Sequence, residues 1–286
     1  MSKKNKAKAK KKKSTEIKNS GPIDLASLEG MLSDMSGDSD EETPLTKAQD
    51  MMYDAWEATG SKRRIALARK ALETSPDCAD AYALLAKECA NSVTEALDLY
   101  RQGVEAGERA LGKEAFEEDV GGFWGILETR PYMRARAGLA ECLWAAGKHN
   151  DAIQQYKDML RLNPNDNQGI RDLLMPRLIE MGKDEEAEVL FKEYQDDGMA
   201  SWAYSRALLD FRKMGDSEIS RKSLKAAIKN NNHIPAYLLG RKKMPQSLPE
   251  YYSPGDETEA MFYIKENLEA WKTTPGVLNW LLSETK

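Results

Sequence analysis

At 286 residues, with 41% apolar and 31% charged residues, the chain has enough hydrophobic side chains for a folded body with wet outer faces. It has no apolar run approaching the ~18 residues of a membrane-spanning helix, and no apolar stretch follows its N-terminal lysines, which argues against a membrane span and a secretory signal. The formal net charge of −5 is unevenly spread: residues 1–18 carry nine lysines against Glu16, residues 24–42 carry seven acids and no base, and 43–286 keep −6. A mildly acidic body does not attract nucleic acid through its overall field. The three cysteines, Cys78, Cys89 and Cys142, are sparse, odd in number and set within helical patterns. They read as small core residues in a reducing compartment.

In chain order, residues 1–43 lack helical periodicity and are predicted to be a disordered tail, basic over 1–18 and acidic over 24–42. One short apolar cluster there, Ile23 to Met35, has i, i+3, i+4 spacing and predicts a transient helix. The helical body is expected to begin near Pro44. Residues 44–110 read as divergent N-terminal repeats, with apolar faces at Met51, Met52, Ala55 and Trp56, then Ile65 to Leu72, then Ala81 to Cys89, then Ala96, Leu97 and Tyr100. Residues 111–131 interrupt the series with Gly112, Gly121, Gly122 and Gly125 among Phe116, Phe123 and Trp124. So apolar a segment must pack on something, and a folded insert over the groove or one edge is expected.

The clear repeats span 132–235. Gly147-Lys148, Ala152 and Tyr156 recur 35 residues on as Gly182-Lys183, Ala187 and Phe191, and a weaker third copy holds Gly215-Asp216, Ser220 and Leu224. A period of this length, with a small residue and a large one at fixed offsets, marks a helix-turn-helix solenoid. Helices are predicted near 132–146, 149–162, 167–181, 184–196, 199–214 and 217–231. Residues 236–286 hold three loop prolines, an amphipathic helix over Glu257–Trp271 and a short closing helix, and read as a C-terminal helical cap. The fold class is therefore all-α, a tetratricopeptide-like helical-hairpin superhelix (an α-solenoid) of four to five hairpins with a disordered N-terminal tail.

Two blocks resemble something narrower. One is Ala81-Tyr82-Ala83-Leu84-Leu85-Ala86 with Thr94-Glu95-Ala96 and Gly103 to Glu108. The other is His233-Ile234-Pro235-Ala236-Tyr237-Leu238-Leu239, followed by Gly255-Asp256-Glu257 and Ala270-Trp271-Lys272. With Leu139-Ala140 and the Gly147 turn, they resemble the soluble core of the suppressor of tumorigenicity seven family and its bacterial soluble relatives, over roughly 80–283. The resemblance implies a helical-repeat fold and no particular chemistry. Animal members of that family carry membrane-spanning segments. This sequence has none, so no membrane partner is expected.

Binding residues follow from the repeat register. Inward positions of a first helix fall at Arg134, Ala137, Glu141 and Trp144 in one repeat, and at Trp202, Ser205, Leu209 and Arg212 in another. Arg134, Trp144, Trp202 and Arg212 are the expected partner-binding anchors, because Trp and Arg join large area to directed polar contacts. The Asn positions of a carboxylate clamp are replaced here, which sets a chaperone-tail clamp aside. Arg130, Arg134 and Arg136 form a candidate anion patch, or else salt-bridge to Glu128 and Glu141. Lys10, Lys11, Lys12 and Lys13 are a candidate nucleic-acid tail. With no aromatic between them, any contact is weak, sequence-blind and salt-sensitive.

Catalytic constellations are missing from the sequence. The two histidines, His149 and His233, lack a spaced Cys or carboxylate set, and no nucleophile elbow or phosphate loop occurs. No cofactor, no metal and no enzymatic activity are expected. The sequence predicts a cytoplasmic protein-interaction scaffold that binds an unidentified protein or peptide along its concave face. The alternative is a nucleic-acid- or ribosome-associated protein acting through the lysine tail, which would also serve as a nuclear address in a eukaryotic source.

Overall fold

Apolar stripes at helical spacing give helices throughout. The computed structural model describes residues 43–285, and all regular structure among them is helical. The tail predicted to be disordered, with Lys10–Lys13, lies outside these residues apart from Thr43. The helices are α1 (Pro44–Glu57), α2 (Ser61–Thr74), α3 (Ala79–Cys89), α4 (Val93–Glu118), α5 (Arg130–Ala145), α6 (His149–Leu162) and α7 (Ile170–Glu180). They continue with α8 (Asp184–Glu193), α9 (Ala200–Met214), α10 (Glu218–Asn230), α11 (Ile234–Leu238), α12 (Glu257–Lys272) and α13 (Val277–Glu284). No helix among the described residues is long and apolar enough to cross a membrane.

Local chemistry sets the boundaries. Thr43 caps α1, its hydroxyl accepting from the Thr46 amide at 3.1 Å, with Pro44 at the first helical position. Ser92 caps α4 in the same way, and Ser217 with Ser220 forms a capping box on α10. The repeated Gly-Lys pair ends α5 and α7 by one device. Gly147 and Gly182 take φ of 76° and 66°, and the amides of Lys148 and Lys183 reach back to the Leu143 and Leu178 carbonyls at 2.9 Å. This six-to-one closure needs a left-handed residue, which is why glycine recurs there with the 35-residue period.

Helices α1 to α10 pair as five antiparallel hairpins. Ala152 and Ala187 are fully buried where the expected close approach occurs, and Tyr156 is buried beside them. Gly138 serves the same purpose on α5, since a Cβ there would stand 2.1 Å from the Tyr100 ring of α4. The first helices of neighbouring hairpins touch at α1–α3, α3–α5 and α7–α9, whereas the second helices stay further apart. A two-layer array whose first layer is the more crowded curves toward that layer, so the first helices line the concave face.

Two expectations about the connecting segments are refined. The 111–131 segment lies along an edge and not in the groove. Helix α4 runs on through a break at Gly112 (φ 70°, ψ 175°), and two 3-10 turns follow. Phe123 packs against Phe116 and Tyr132, and the Gly121 amide donates to the Leu162 carbonyl at 2.9 Å. Residues 236–286, expected as a terminal cap, go further than capping. Helix α12 packs against α7 and α9, the two inner helices of the C-terminal hairpins, and so lies along the concave face itself.

Candidate binding site on the concave face

The concave face divides into two halves of different character. In the C-terminal half, α12 is seated as a ligand would be. Its Tyr263, Ile264, Ala270 and Trp271 are buried, and complete burial of a side chain such as Ile264 stabilises by about 1.5–3 kcal/mol. Trp271 is fully buried against Tyr204 of α9, and its indole N–H donates to the Tyr263 hydroxyl at 2.7 Å. Glu259 is buried as well. Its carboxylate accepts from the Ala200 amide at 3.0 Å, from Asn231 Nδ2 at 2.9 Å and from the Gly255 amide at 2.7 Å. A side chain of α12 thus serves the N-terminus of α9, where unpaired amides favour an anion. Further along, Arg177 of α7 donates to Glu266 of α12 and to Glu180, both at 3.0 Å, with its guanidinium over the Trp144 ring at 4.8 Å.

The N-terminal half is lined by α1, α3 and α5. Asp80 of α3 is 1% exposed and holds Arg134 by two bonds, Nε to Oδ1 at 2.8 Å and Nη2 to Oδ2 at 2.6 Å. Gln49 of α1 donates to the same carboxylate at 2.8 Å. Arg134 also lies over the Trp56 ring at 4.9 Å, so one guanidinium ties three inner helices together. Cys78, just below, has its thiol pushed up to about 12 by burial and by the Asp80 charge, which leaves it inert as a nucleophile. Lys87 and Glu141 stand exposed on this half. Although Glu141 reaches solvent, the groove walls crowd its carboxyl. Desolvation, and then the nearby Glu266, raise its pKa against the smaller opposing pull of Lys265, Arg177 and Lys87. Glu180 is raised in the same way by burial, in spite of Arg177.

The four expected anchors separate. Arg134 and Trp144 lie on the inner face, Trp144 half-buried between Arg177 and a His149 ring stacked at 4.2 Å. Trp202 offers no surface and is corrected to a core residue. It is 1% exposed, stacked on Phe191 at 5.7 Å, with its indole nitrogen buried and unbonded. Arg212 is held in cis by Asp184 at 2.9 Å and by Thr274, in the turn after α12, at 2.9 Å. Each arginine of the expected patch has a partner within the chain. Arg130 turns back to the Trp124 carbonyl at 2.9 Å, and Arg134 goes to Asp80. Arg136 is buried, donating to Gln155 at 2.7 Å, to Asp158 at 3.2 Å and to the Tyr132 hydroxyl.

Sequence reasoning missed Trp56, Asp80 and α12 as parts of this face. A signal for α12 was present. Helix α7 reads Ile-Arg-Asp-Leu-Leu-Met-Pro-Arg-Leu-Ile-Glu, apolar on nearly every side, and a helix apolar all round is covered all round.

Known proteins extend the resemblance. A family model described as "ST7 protein" matches residues 35–285, reaching further toward the N-terminus than the two blocks implied. "Suppressor of tumorigenicity 7 protein-like" of Danio rerio is 28% identical over 81% of this chain and 43% of its own length. "Protein ST7 homolog" of Drosophila melanogaster is 27% identical over 81% of this chain and 47% of its own. The Homo sapiens protein of the first kind is 27% identical over 83% of this chain and 45% of its own. The chain thus spans about half the length of the curated relatives it matches. Among solved structures, YrrB, described as a TPR protein with an unusual peptide-binding site, aligns with a TM-score of 0.46 and 20% identity, covering 70% of this chain and 91% of that one. The family match takes in every helix from α1 to α13, and the chain belongs to the ST7 protein family.

Proposed function

We propose that the chain is a non-catalytic scaffold that holds a helix or peptide of a partner protein along the N-terminal half of its concave face, on α1, α3 and α5. The seating of α12 carries this reading. In the other half the same inner layer receives an amphipathic helix through buried aromatics, a carboxylate over a helix N-terminus and an Arg–Glu pair. These are the means by which groove-binding helices are held in general. In the N-terminal half, Trp56 with Arg134 supplies the aromatic and cationic floor, and Lys87, Glu141 and Trp144 supply the contact edges. Trp202 and Arg212 take no part.

Site-specific photocrosslinking in the native cell tests this. A photoreactive residue at position 87 or 141 is expected to capture a partner, and one at position 69 or 225, on α2 and α10 of the outer layer, is not. Capture from the outer positions alone, or from none, would defeat the proposal. The second reading, nucleic-acid association through Lys10–Lys13, rests on the sequence. It predicts RNA retention that needs the lysines and collapses as salt rises.

A further inference from the structure

The outer face of the middle repeats carries a groove that plays no part in concave-face binding. It lies between the second helices α6 and α8, over the buried side chains of α7. Leu160, Leu174, Leu178 and Leu190 line its floor, in a cavity of about 470 Å³. Val189 stands on α8 at its lip and is 68% exposed. One repeat earlier, the corresponding groove between α4 and α6 has the same leucine floor, with Leu139 and Leu143 at the places of Leu174 and Leu178, and is edged by Asp151, Gln154 and Gln155. Gln154 sits 35 residues before Val189, at the same place in the repeat. The lip of the groove thus turns from Gln154 and Gln155 to Val189 and Leu190 at one step of the superhelix, over an unchanged leucine floor.

Charge is ordered around the apolar strip. The α6 wall carries Lys157 and Arg161, and the α8 wall carries Glu186 and Glu193. Lys157 pairs with Glu186 across the groove. Arg161 stands exposed at the other end and makes no ion pair or hydrogen bond among the described residues. Helix α8 has Asp184, Glu185 and Glu186 in its first turn and Lys192 in its last. Asp184 and Glu186 are held within the chain by Arg212 and Lys157, so two such helices laid antiparallel across a two-fold axis at Val189 would set Glu185 of each against Lys192 of the other, with opposed macrodipoles. The same placement brings the acidic turn of the second helix over the end of the groove where Arg161 stands.

We propose that this face docks a second copy of the chain, with α8 of each copy laying Val189 into the leucine-floored groove of the other. A ridge, a groove that fits it and opposite charges at matching distances from one axis, all within one patch, are what a two-fold contact requires of a single surface. An unrelated partner would need no such self-complementarity. The patch lies on the outer layer, so it is independent of the concave-face function.

Sedimentation of the full chain over a concentration series tests the assignment. Dimer is expected to form reversibly within the range up to about 100 μM. Val189→Asp, which alters an exposed position and leaves the helical signal unchanged, is expected to weaken dimerisation at least about tenfold by opposing carboxylates across the axis. Arg161→Glu is expected to weaken it too, and Glu185→Arg with Lys192→Glu added to the same chain is expected to restore it, because both reversed pairs then form twice. A chain that stays monomeric throughout the series, a dimer indifferent to Val189→Asp, or a charge reversal that does not restore association would each overturn the proposal.

Discussion

Replacing Trp271 by alanine is the sharpest test of α12 as an integral wall of the groove. Trp271 is fully buried, packs on Tyr204 and donates its indole N–H to Tyr263. Deleting a buried tryptophan side chain costs about 3–5 kcal/mol in lost transfer energy and residual cavity. The Tyr263 hydroxyl loses its donor in a buried site, adding about 1 kcal/mol. A loss of about 4–6 kcal/mol is large against the 5–15 kcal/mol that typically holds a domain. Trp271→Phe keeps most of the packing, removes the hydrogen bond and is expected to lose far less, about 1–2 kcal/mol. The assay is urea denaturation followed by far-ultraviolet circular dichroism, with hydrogen exchange read over α7 and α9, the helices that α12 covers. Exposed Asn279→Ala on α13 serves as the control. A Trp271→Ala protein no less stable than the control, with α7 and α9 still protected, would refute the placement of α12.

Ala152→Leu and Ala187→Leu should each cost about 1–3 kcal/mol by forcing apart the paired helices, whereas Gln154→Ala on the outer surface should stay within about 0.5 kcal/mol. Equal midpoints for all three in a denaturant titration would show that the repeat register is wrong. Glu141 has its folded pKa raised above the ordinary 4.5, so folding takes up a proton between the two values and stability falls as pH rises through that window. Glu141→Gln is therefore expected to be at least as stable as the parent at pH 7, with the difference shrinking as pH falls toward the ordinary carboxylate pKa. A variant less stable at pH 7 in paired melts would contradict that sign.

The repeats were legible because they are written locally. A left-handed glycine, a small residue and a large one recur at fixed offsets, and each acts within its own hairpin. Ion pairing was not legible, because hairpin stacking and not sequence proximity brings partners together. Arg134 pairs with Asp80, which lies 54 positions earlier, and Arg136 with Asp158, which lies 22 positions later. The inward register was sound for Arg134 and Trp144. It failed for Trp202 and Arg212, because the inner face of α9 is roofed by a helix whose destination no local pattern specifies.

The roof over α7 and α9 has a consequence for how the chain comes into being. An open array of hairpins mostly folds neighbour upon neighbour, and each unit is complete once the next has arrived. Here the inner faces of the last two hairpins wait for a strip of sequence further on, as the Arg177–Glu266 contact across 89 positions measures. At about 5–20 residues per second, translation from the end of α9 to the start of α12 takes roughly 2–9 seconds. Throughout that interval α7 and α9 present bare leucines and aromatics to their surroundings. The nascent chain therefore passes through a sticky, half-assembled state at a fixed point of its synthesis. Slowing decoding between α10 and α12 would lengthen its exposure to aggregation and to holding chaperones without altering one residue of the finished protein.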